Sequence, residues 1–281
     1  MQVSSHGFYV AGVPVGQRCK VAFWGPGNSG RDLEVNVVCH DRKGANSRSQ
    51  FSVVYHRETQ TGTRVGAYVW ANSPLSSPYT PPLAYQWNST GGINTITRAG
   101  TGQYTVRLPG MTVRGGNVMV TSFGSDATYC KPASWTPDAS GMNVQVRCFG
   151  AVGQASDTNF SLDFQYTEVA VNGLEAFIWA DSPASSDYIP PATWSFNSFS
   201  NDATHVKRIG RLTDVPGAYQ WLLLYPGVSV NSTINLVTGY GTDPSFCISD
   251  GRDPNGISVG CMNWDGSSAT NSVFVHRVIG R

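Results

Sequence analysis

The chain has 281 residues, a net charge of +1 and only 13% charged residues, with 31 glycines, 16 prolines and 11% aromatic residues. No basic run exceeds two residues, which argues against an electrostatic nucleic-acid interface, and no apolar run approaches the ~18 residues of a membrane-spanning helix. Low charge combined with many polar, glycine and aromatic residues is typical of secreted all-β proteins.

Alternating apolar and polar residues predict strands along most of the chain, whereas helix signals are nearly absent. In chain order, the clearest alternating runs are 8–13, 33–40, 50–56, 94–98, 104–108, 117–123, 143–149 and 160–166. Clusters of Gly, Pro, Asn and Ser separate these runs and predict turns between them. The predicted fold class is therefore all-β.

Two segments that begin 109 residues apart are close copies of each other. Trp70–Pro82 reads WANSPLSSPYTPP and Trp179–Pro191 reads WADSPASSDYIPP, so nine of the thirteen positions are identical. Each copy belongs to a cysteine-free half-repeat, and each half-repeat has a predicted plan of four strands. The cysteine-free half-repeats span about 63–112 and 171–229, and they alternate with three cysteine half-repeats at about 5–58, 115–168 and 232–279.

Five four-stranded units of about 50 residues predict a single domain over 1–281, a five-bladed β-propeller with one antiparallel sheet in each blade. The alternative is a pair of tandem immunoglobulin-like β-sandwiches, each formed by one 110-residue repeat with eight strands and one disulfide. In that alternative, the first ~60 residues are half a domain that cannot bury its own sheet face. The propeller is therefore the preferred interpretation of the sequence.

The six cysteines recur as three pairs, Cys19/Cys39, Cys130/Cys148 and Cys247/Cys261, with separations of 20, 18 and 14 residues. This recurrence predicts one disulfide in each cysteine half-repeat, between neighbouring antiparallel strands. No CxxC spacing and no histidine cluster accompanies the cysteines, so no metal site and no cofactor is predicted. Disulfides form in oxidising compartments, so we expect a secreted protein, with Met1 standing where an export signal has been removed.

Polar and aromatic residues that recur in the two cysteine-free half-repeats form the candidate ligand site. The candidate residues are Asn72, Tyr79, Trp87, Asp181, Tyr188 and Trp194. An aromatic platform with a few directional polar groups is the usual composition of a shallow sugar site, and repetition of the site adds avidity. The structural alternatives are aromatic packing between blades and polar support of a long loop.

Catalytic signatures are weak in this sequence. No G-x-S-x-G, H-x-H or HExxH motif is present. Glu34 and Asp163 alternate with apolar residues and are predicted to face solvent, which leaves Glu175 as the one carboxylate to test for glycoside hydrolysis. Because that chemistry needs two carboxylates, no catalytic residue is assigned.

The segments GAYVWANSP…YTPP…GxYTVRLPG and CKPASW…VQVRCF…FSL resemble tandem repeats of about 110 residues in secreted bacterial proteins of unassigned function. The resemblance covers most of the chain and implies export and a repeated β fold. In architecture, five blades are similar to the five-bladed propeller lectins of the tachylectin-2 type, which bind N-acetylated sugars between blades. That similarity of fold implies carbohydrate binding.

These observations predict a secreted, lectin-like carbohydrate-binding module whose partner is a glycan or an extracellular protein, without nucleic-acid binding. A protein-interaction or surface scaffold module is the first alternative. A secreted glycosidase or lyase built on a propeller is the second.

Overall fold

The computed structural model describes residues 1–6, 9–10, 13–14, 16–55, 65–166, 174–211, 219–229, 233–250, 256–265, 267, 269 and 272–280. Nearly all regular structure in these residues is β-strand, so the predicted all-β class is confirmed. The helices in the described part of the chain are the single 3₁₀ turns Leu83–Tyr85 and Ala192–Trp194, and three residues are far too few to cross a bilayer.

The strands fall into five successive groups. The first group is β1 (Gln2–His6), β2 (Tyr9–Val10), β3 (Val13–Pro14), β4 (Arg18–Pro26), β5 (Leu33–His40) and β6 (Gln50–Val54). The second is β7 (Val65–Ala71), β8 (Gln86–Asn88), β9 (Thr95–Gly100) and β10 (Gln103–Pro109). The third is β11 (Asn117–Phe123), β12 (Tyr129–Asp138), β13 (Gly141–Phe149) and β14 (Asn159–Tyr166). The fourth is β15 (Glu175–Ala180), β16 (Asp187–Tyr188), β17 (Ser195–Asn197), β18 (His205–Arg211) and β19 (Tyr219–Leu224). The fifth is β20 (Thr233–Tyr240), β21 (Phe246–Asp250), β22 (Ile257–Met262) and β23 (Val273–Gly280).

Residues 65–166 form a complete antiparallel sandwich, here called the first sandwich. One sheet has the order β8–β7–β14–β11, and the other has the order β9–β10–β13–β12. Alternate side chains of each strand point inward, so that Val144 and Val146 of β13 are fully buried in one core shared by both sheets. The tight β9–β10 turn requires Gly102, whose φ is +64° and whose added Cβ would lie 2.3 Å from the Cys148 carbonyl oxygen.

Residues 174–280 repeat this arrangement as the second sandwich. Its sheets have the orders β17–β15–β23–β20 and β16–β18–β19–β22–β21. Every strand of the first sandwich has a counterpart at the same place in these sheets. The short strand β16 corresponds to the isolated bridge between Tyr79 and Ile96. The two 110-residue repeats therefore fold alike, each around its own core.

The first cysteine half-repeat forms an incomplete sandwich from β1, β4, β5 and β6, here called the open half-sandwich. β1 pairs with β6 and β4 pairs with β5, as β11 pairs with β14 and β12 with β13 in the first sandwich. No described strand takes the places that β7 and β10 have in the first sandwich. As a result, β5 and β6 are end strands of their sheets.

The three cysteine half-repeats meet around a pseudo-threefold axis, here called the hub. β4 pairs with β11 in parallel through one residue pair, and β1 pairs with β21 in the same way. The third contact joins β20 to β12, where the Gly241 amide donates to the Pro132 carbonyl oxygen at 3.0 Å. Each half-repeat thus contacts the next one through equivalent strands, and the three contacts close a ring.

A ring of hydroxyl groups follows the same cyclic order. The segments Val3–Ser5, Val120–Ser122 and Val237–Gly239 are equivalent, because each pairs with the same part of β6, β14 or β23. The hydroxyl of the middle residue bonds to the backbone of the valine in another half-repeat. The bonds are Ser4 to Val237 at 2.8 Å, Thr121 to Val3 at 3.3 Å and Thr238 to Val120 at 3.2 Å.

The disulfide prediction is confirmed in full. Cys19–Cys39, Cys130–Cys148 and Cys247–Cys261 are bonded, and each bridge joins directly paired residues of neighbouring antiparallel strands. The predicted strands are also confirmed wherever they can be compared. The run 8–13 lies largely outside the described residues, and the other seven runs coincide with β5, β6, β9, β10, β11, β13 and β14.

The five-bladed propeller is not confirmed, because strands pair across the boundaries of the predicted blades. β7 of the unit at 63–112 pairs with β14 of the unit at 115–168, and β10 pairs with β13. The physical reason is that each half-repeat forms two separate strand pairs rather than one sheet, and its apolar face is covered only when another half-repeat extends both pairs. The predicted limits at 58, 63, 168, 171 and 232 lie outside the described residues.

The alternative of two tandem immunoglobulin-like sandwiches agrees with the structure in part. Each 110-residue repeat has eight corresponding strands in two sheets and one disulfide. Each disulfide here lies within one sheet, whereas the immunoglobulin bridge joins the two sheets.

Candidate functional site

The tyrosines of the predicted ligand site hold together two equivalent loops, one after β7 and one after β15. The Tyr79 hydroxyl accepts a hydrogen bond from the Ser73 amide at 3.3 Å, and the Tyr188 hydroxyl accepts one from the Ser182 amide at 3.2 Å. Burial raises the pKa of both hydroxyls, that of Tyr188 to about 12. Both rings also pack against the sandwich cores. Each tyrosine therefore fixes the shape of its own loop.

Asn72 and Asp181 occupy matching places beside these hydroxyls and are half-buried. The Asn72 Oδ1 atom is buried without a hydrogen-bond partner among the described residues. The negative charge of Asp181 adds to the effect of burial in raising the pKa of Tyr188. The structure thus brings Asn72 together with Tyr79 and Asp181 together with Tyr188, in two separate sandwiches.

Trp87 and Trp194 do not occupy equivalent places, contrary to the sequence interpretation. Unbroken alignment of the two copies matches Trp194 with Tyr85 and Trp87 with Phe196. Trp87 lies on β8 opposite Tyr68, and the two rings stack with centroids 6.2 Å apart. The sequence alone could have shown this, because the two copies align at a constant offset of 109 residues, without insertion or deletion, from Trp70 and Trp179 to these positions. The ligand-binding role of the six residues stays a prediction.

Two equivalent aromatic clusters lie where neighbouring repeats meet. Each cluster combines one tryptophan of a cysteine half-repeat with three rings of the sandwich that follows. Trp135 contacts all three of its rings, whereas Trp24 contacts two, those of Trp70 and Phe123. The first cluster, with ring centroids 4.6 to 5.1 Å apart, contains Trp24, Trp70, Tyr85 and Phe123. The second, with centroids 4.8 to 5.6 Å apart, contains Trp135, Trp179, Trp194 and Tyr240. Packing between repeats accounts for these recurring tryptophans.

The inner face of the open half-sandwich is exposed where the complete sandwiches are buried. Phe51, Phe160 and Phe274 occupy the same position of β6, β14 and β23. Phe160 and Phe274 are 0% exposed, but Phe51 is 46% exposed. Tyr55 is 52% exposed, while Phe164 at the corresponding place is 0% exposed. Side chains that form the core of a complete sandwich therefore face solvent in this copy.

A cavity of about 300 Å³ adjoins this face, between the open half-sandwich and the first sandwich. Its lining is rich in aromatic side chains, among them Trp24, Tyr55, Tyr68, Trp70 and Tyr85. Its volume is at the lower end of the usual range for binding pockets in proteins, and aromatic side chains are common in such pockets.

The corresponding space beside the first sandwich is filled by the chain itself. Trp24 and Trp135 are equivalent, since each lies five residues after the first cysteine of its half-repeat. The Trp135 Nε1 donates to the Gly115 carbonyl oxygen at 3.1 Å, and Met111 is fully buried in the same core cluster as Trp135. The segment 111–116, which joins β10 to β11, thus occupies the place that is a cavity beside Trp24.

A smaller cavity of about 70 Å³ lies on the axis of the hub and is lined by equivalent residues of all three cysteine half-repeats. Lys20 forms an ion pair with Asp126, and Lys131 forms the equivalent pair with Asp243. Burial lowers the pKa of both lysines, that of Lys131 to about 8, against the opposing effect of the aspartates. Ile248 occupies the equivalent position in the third half-repeat, directly after Cys247. The cavity at the hub is therefore lined by two buried lysines and one isoleucine at these three positions.

Glu175 and Asp163 lie close together, buried between the sandwiches, and both contact Arg277. The Arg277 Nη1 donates to Asp163 Oδ2 at 2.7 Å, and its Nε lies against Glu175 Oε1. The prediction that Asp163 faces solvent is wrong, because the second sandwich covers the outer face of β14. Glu34 is exposed, as predicted. One guanidinium compensates both buried carboxylates, which is the arrangement of a structural ion triad.

The described residues contain no group of three or more His, Cys, Asp or Glu side chains that could hold a metal ion. Comparison of the chain with protein-family models, curated protein sequences and solved structures finds no match. The resemblances to secreted bacterial repeats and to five-bladed lectins therefore stay predictions.

Proposed function

We propose that the chain is a protein-interaction module, and that its binding surface is the inner face of the open half-sandwich. The observation that carries the proposal is the contrast in burial at one position. Phe51 is nearly half exposed, whereas Phe160 and Phe274 are fully buried at the same place in the complete sandwiches. An apolar surface that the same fold covers elsewhere is typical of a face that a partner covers.

The exposed strand edges favour a polypeptide as the partner. β5 and β6 end their sheets among the described strands, so one side of each has backbone N–H and C=O groups without a strand neighbour. A polypeptide can pair with such an edge and place apolar side chains on the adjoining face. The three disulfides support an oxidising compartment. We therefore propose that the interaction takes place outside the cytoplasm.

Carbohydrate binding is the second candidate function. The observation that favours it is the cavity of about 300 Å³, in which the rings of Trp24, Trp70 and Tyr85 could stack on a sugar. This location differs from the loop residues of the sequence prediction, whose tyrosine hydroxyls are already engaged within their loops.

A selection experiment on the full chain separates the two candidates. A phage-displayed random peptide library and a glycan array are applied to the wild type, to Phe51→Ser and to Phe23→Ser. Phe23 is a matched control, since it belongs to the same half-repeat and is 51% exposed. Its side chain lies on the outer face of the sheet, whereas that of the next residue, Trp24, lies on the inner face. We expect selected peptides to bind the wild type and Phe23→Ser alike, and to bind Phe51→Ser at least about tenfold more weakly.

Peptides that bind all three proteins equally would contradict the proposed function, and a library that yields no binder would contradict the binding of short linear peptides at this face. Glycan binding that the Trp70→Ala variant abolishes would instead establish the second candidate.

A further inference from the structure

We propose that the occupant of the open half-sandwich is a cysteine-free half-repeat of the kind formed by β7–β10 and by β15–β19, supplied by a partner polypeptide. The inference rests on the proposed function, since it names the partner of the same surface. It is carried by internal homology, because the same face appears three times in the chain and is covered in two of them. In both covered copies, the covering element is a cysteine-free half-repeat.

Both open edges have a defined strand partner in the first sandwich. β7 pairs with β14 through seven residue pairs, and β10 pairs with β13 through seven. In the second sandwich, β15 pairs with β23 and β19 with β22 in the same places. β6 and β5 are the counterparts of β14 and β13, so the proposed partner adds one strand to each of the two sheets.

The register of the added strands follows from the same pairs. Phe160 lies opposite Ala71, and Leu162 lies opposite Val69. The partner's residue equivalent to Ala71 therefore lies opposite Phe51, and its equivalent of Val69 lies opposite Val53. A small side chain opposite each phenylalanine leaves room for the ring to turn into the core, as Phe160 does.

On the other sheet, Val106 lies opposite Val144, and Leu108 lies opposite Met142. Val35 and Leu33 take the places of Val144 and Met142 in β5. Leu33 is 43% exposed, whereas Met142 is fully buried, so this edge shows the same contrast as the edge of β6. One partner element that carries both strands covers both edges at once.

The proposed partner also contains a segment that would fill the cavity of about 300 Å³. In the first sandwich, the segment 111–116 fills this place and accepts the indole hydrogen bond of Trp135. The equivalent segment of a bound half-repeat would lie against Trp24 and offer a carbonyl oxygen to the Trp24 indole N–H, as Gly115 does for Trp135. Strands and connecting segment together account for the whole open surface.

A second copy of this chain does not suit the surface. Its two cysteine-free half-repeats are already paired with β13 and β14 and with β22 and β23. Releasing one of them to cover Phe51 would expose Phe160 or Phe274 instead. The total apolar area removed from water would therefore not increase.

The test is a fusion that supplies the partner at high effective concentration. A second copy of residues 65–117 is joined directly to Met1 of the full chain. No linker is needed, because Gln2 lies opposite Val54 as Met119 lies opposite Asp163, so that Met1 takes the place of Val118, which directly follows Asn117. We expect amide hydrogen exchange in β5 and β6 to slow at least about tenfold relative to the unfused chain.

The matched control carries Val69→Asp and Val106→Asp in the added copy only. Both valines are at most 1% exposed in the first sandwich, so the charged variants cannot form that core, while the original chain is unaltered. We expect no protection of β5 and β6 in this control. Equal exchange in the fusion, the control and the unfused chain would overturn the proposal.

A designed disulfide tests the register without relying on exchange rates. Val53→Cys is combined with Val69→Cys in the added copy, which are directly opposite residues in the proposed pairing. We expect this pair to form a fourth disulfide under oxidation, and the shifted pair Val53→Cys with Val65→Cys in the added copy not to form one. Bonding of the shifted pair in preference to the designed pair would overturn the proposed register.

The outcomes also separate this inference from the proposed function. If peptides bind in a Phe51-dependent way but the fusion leaves β5 and β6 unprotected, the proposed function stands and the half-repeat partner is wrong. If the fusion protects both edges but no peptide is selected, the half-repeat partner stands and general peptide binding is wrong. A Phe51-dependent dimer of the unfused chain in sedimentation experiments would identify a second copy as the occupant and overturn the inference.

Discussion

The first sandwich and the open half-sandwich contain the same cysteine half-repeat in two different settings. Both have two strand pairs, one of which is bridged by a disulfide at paired positions. In the first sandwich, β7 and β10 extend the two pairs, and Phe160 and Val144 are fully buried. In the open half-sandwich, the equivalent residues Phe51 and Val35 stay in contact with solvent. The cysteine half-repeat therefore does not bury its own inner face.

The two settings agree at the hub, where both half-repeats make the same contacts. Ser4 and Thr121 form equivalent hydroxyl bonds, and Lys20 and Lys131 form equivalent ion pairs. The fold thus has an inner part that three cysteine half-repeats complete among themselves. It also has an outer part that is complete only where a cysteine-free half-repeat is present.

The largest expected difference between the two regions is the cost of removing the equivalent phenylalanine. Phe160→Ala should lower the free energy of unfolding by about 3–5 kcal/mol, because it leaves a cavity in a closed core. Phe51→Ala should lower it by less than about 1 kcal/mol, because much of that ring is already in water. Urea unfolding followed by tryptophan fluorescence measures both values.

Phe274→Ala is the internal control for this comparison, since Phe274 is also 0% exposed. It should behave like Phe160→Ala. A loss at Phe51 as large as the loss at Phe160 would mean that the open half-sandwich is closed in solution, and the comparison would fail.

A smaller effect is expected from pH at the hub, where the two regions agree. The pKa of Lys131 is lowered from 10.5 to about 8, chiefly by burial. The unfolded chain keeps this proton up to about pH 10.5, so it binds more protons than the folded state between about pH 8 and 10.5. Stability should therefore rise with pH, by about 2 kcal/mol between pH 8 and 9.5 at roughly 1.4 kcal/mol per unit.

Thermal or urea unfolding at several pH values measures this rise, and the Lys131→Met variant should remove most of it. An apolar residue is already present at the equivalent position of the third half-repeat, Ile248. A wild type whose stability is flat or falls from pH 8 to 9.5 would show that Lys131 keeps its ordinary pKa at the hub.

The local structure of this chain could be predicted from its sequence, but the assembly of the strands could not. The runs 33–40 and 117–123 coincide with β5 and β11, because a half-buried strand alternates with period two. The disulfides followed from the recurrence of the cysteine pairs. Alternation does not say which strand lies beside which. Five equal units therefore suited a propeller as well as sandwiches that share strands.

The same limit explains the errors in the candidate site. Asp163 lies on the face of β14 that alternation assigns to solvent, and contact with Arg277 of the second sandwich buries it. The exposed position of Phe51 also has no sequence signal, since its half-repeat has the same pattern as the buried copies. Only the absence of a neighbouring strand among those described distinguishes it.

The smallest expected effect tests whether the hub is the same in both regions. Ser4→Ala leaves the Val237 amide without its 2.8 Å acceptor, and Thr121→Val leaves the Val3 amide without its 3.3 Å acceptor. Each substitution also removes the bond that the hydroxyl donates, from Ser4 to the Val237 carbonyl oxygen at 3.1 Å and from Thr121 to Gln2 Oε1 at 2.6 Å. Each should therefore lower the free energy of unfolding by about 1–2 kcal/mol, the usual cost of two lost hydrogen bonds. The two losses should be equal within about 0.5 kcal/mol, because both bonds belong to the closed inner ring. A loss at Ser4 far below the loss at Thr121 would show that the missing outer strands loosen the hub too, and the division into inner and outer parts would have to be abandoned.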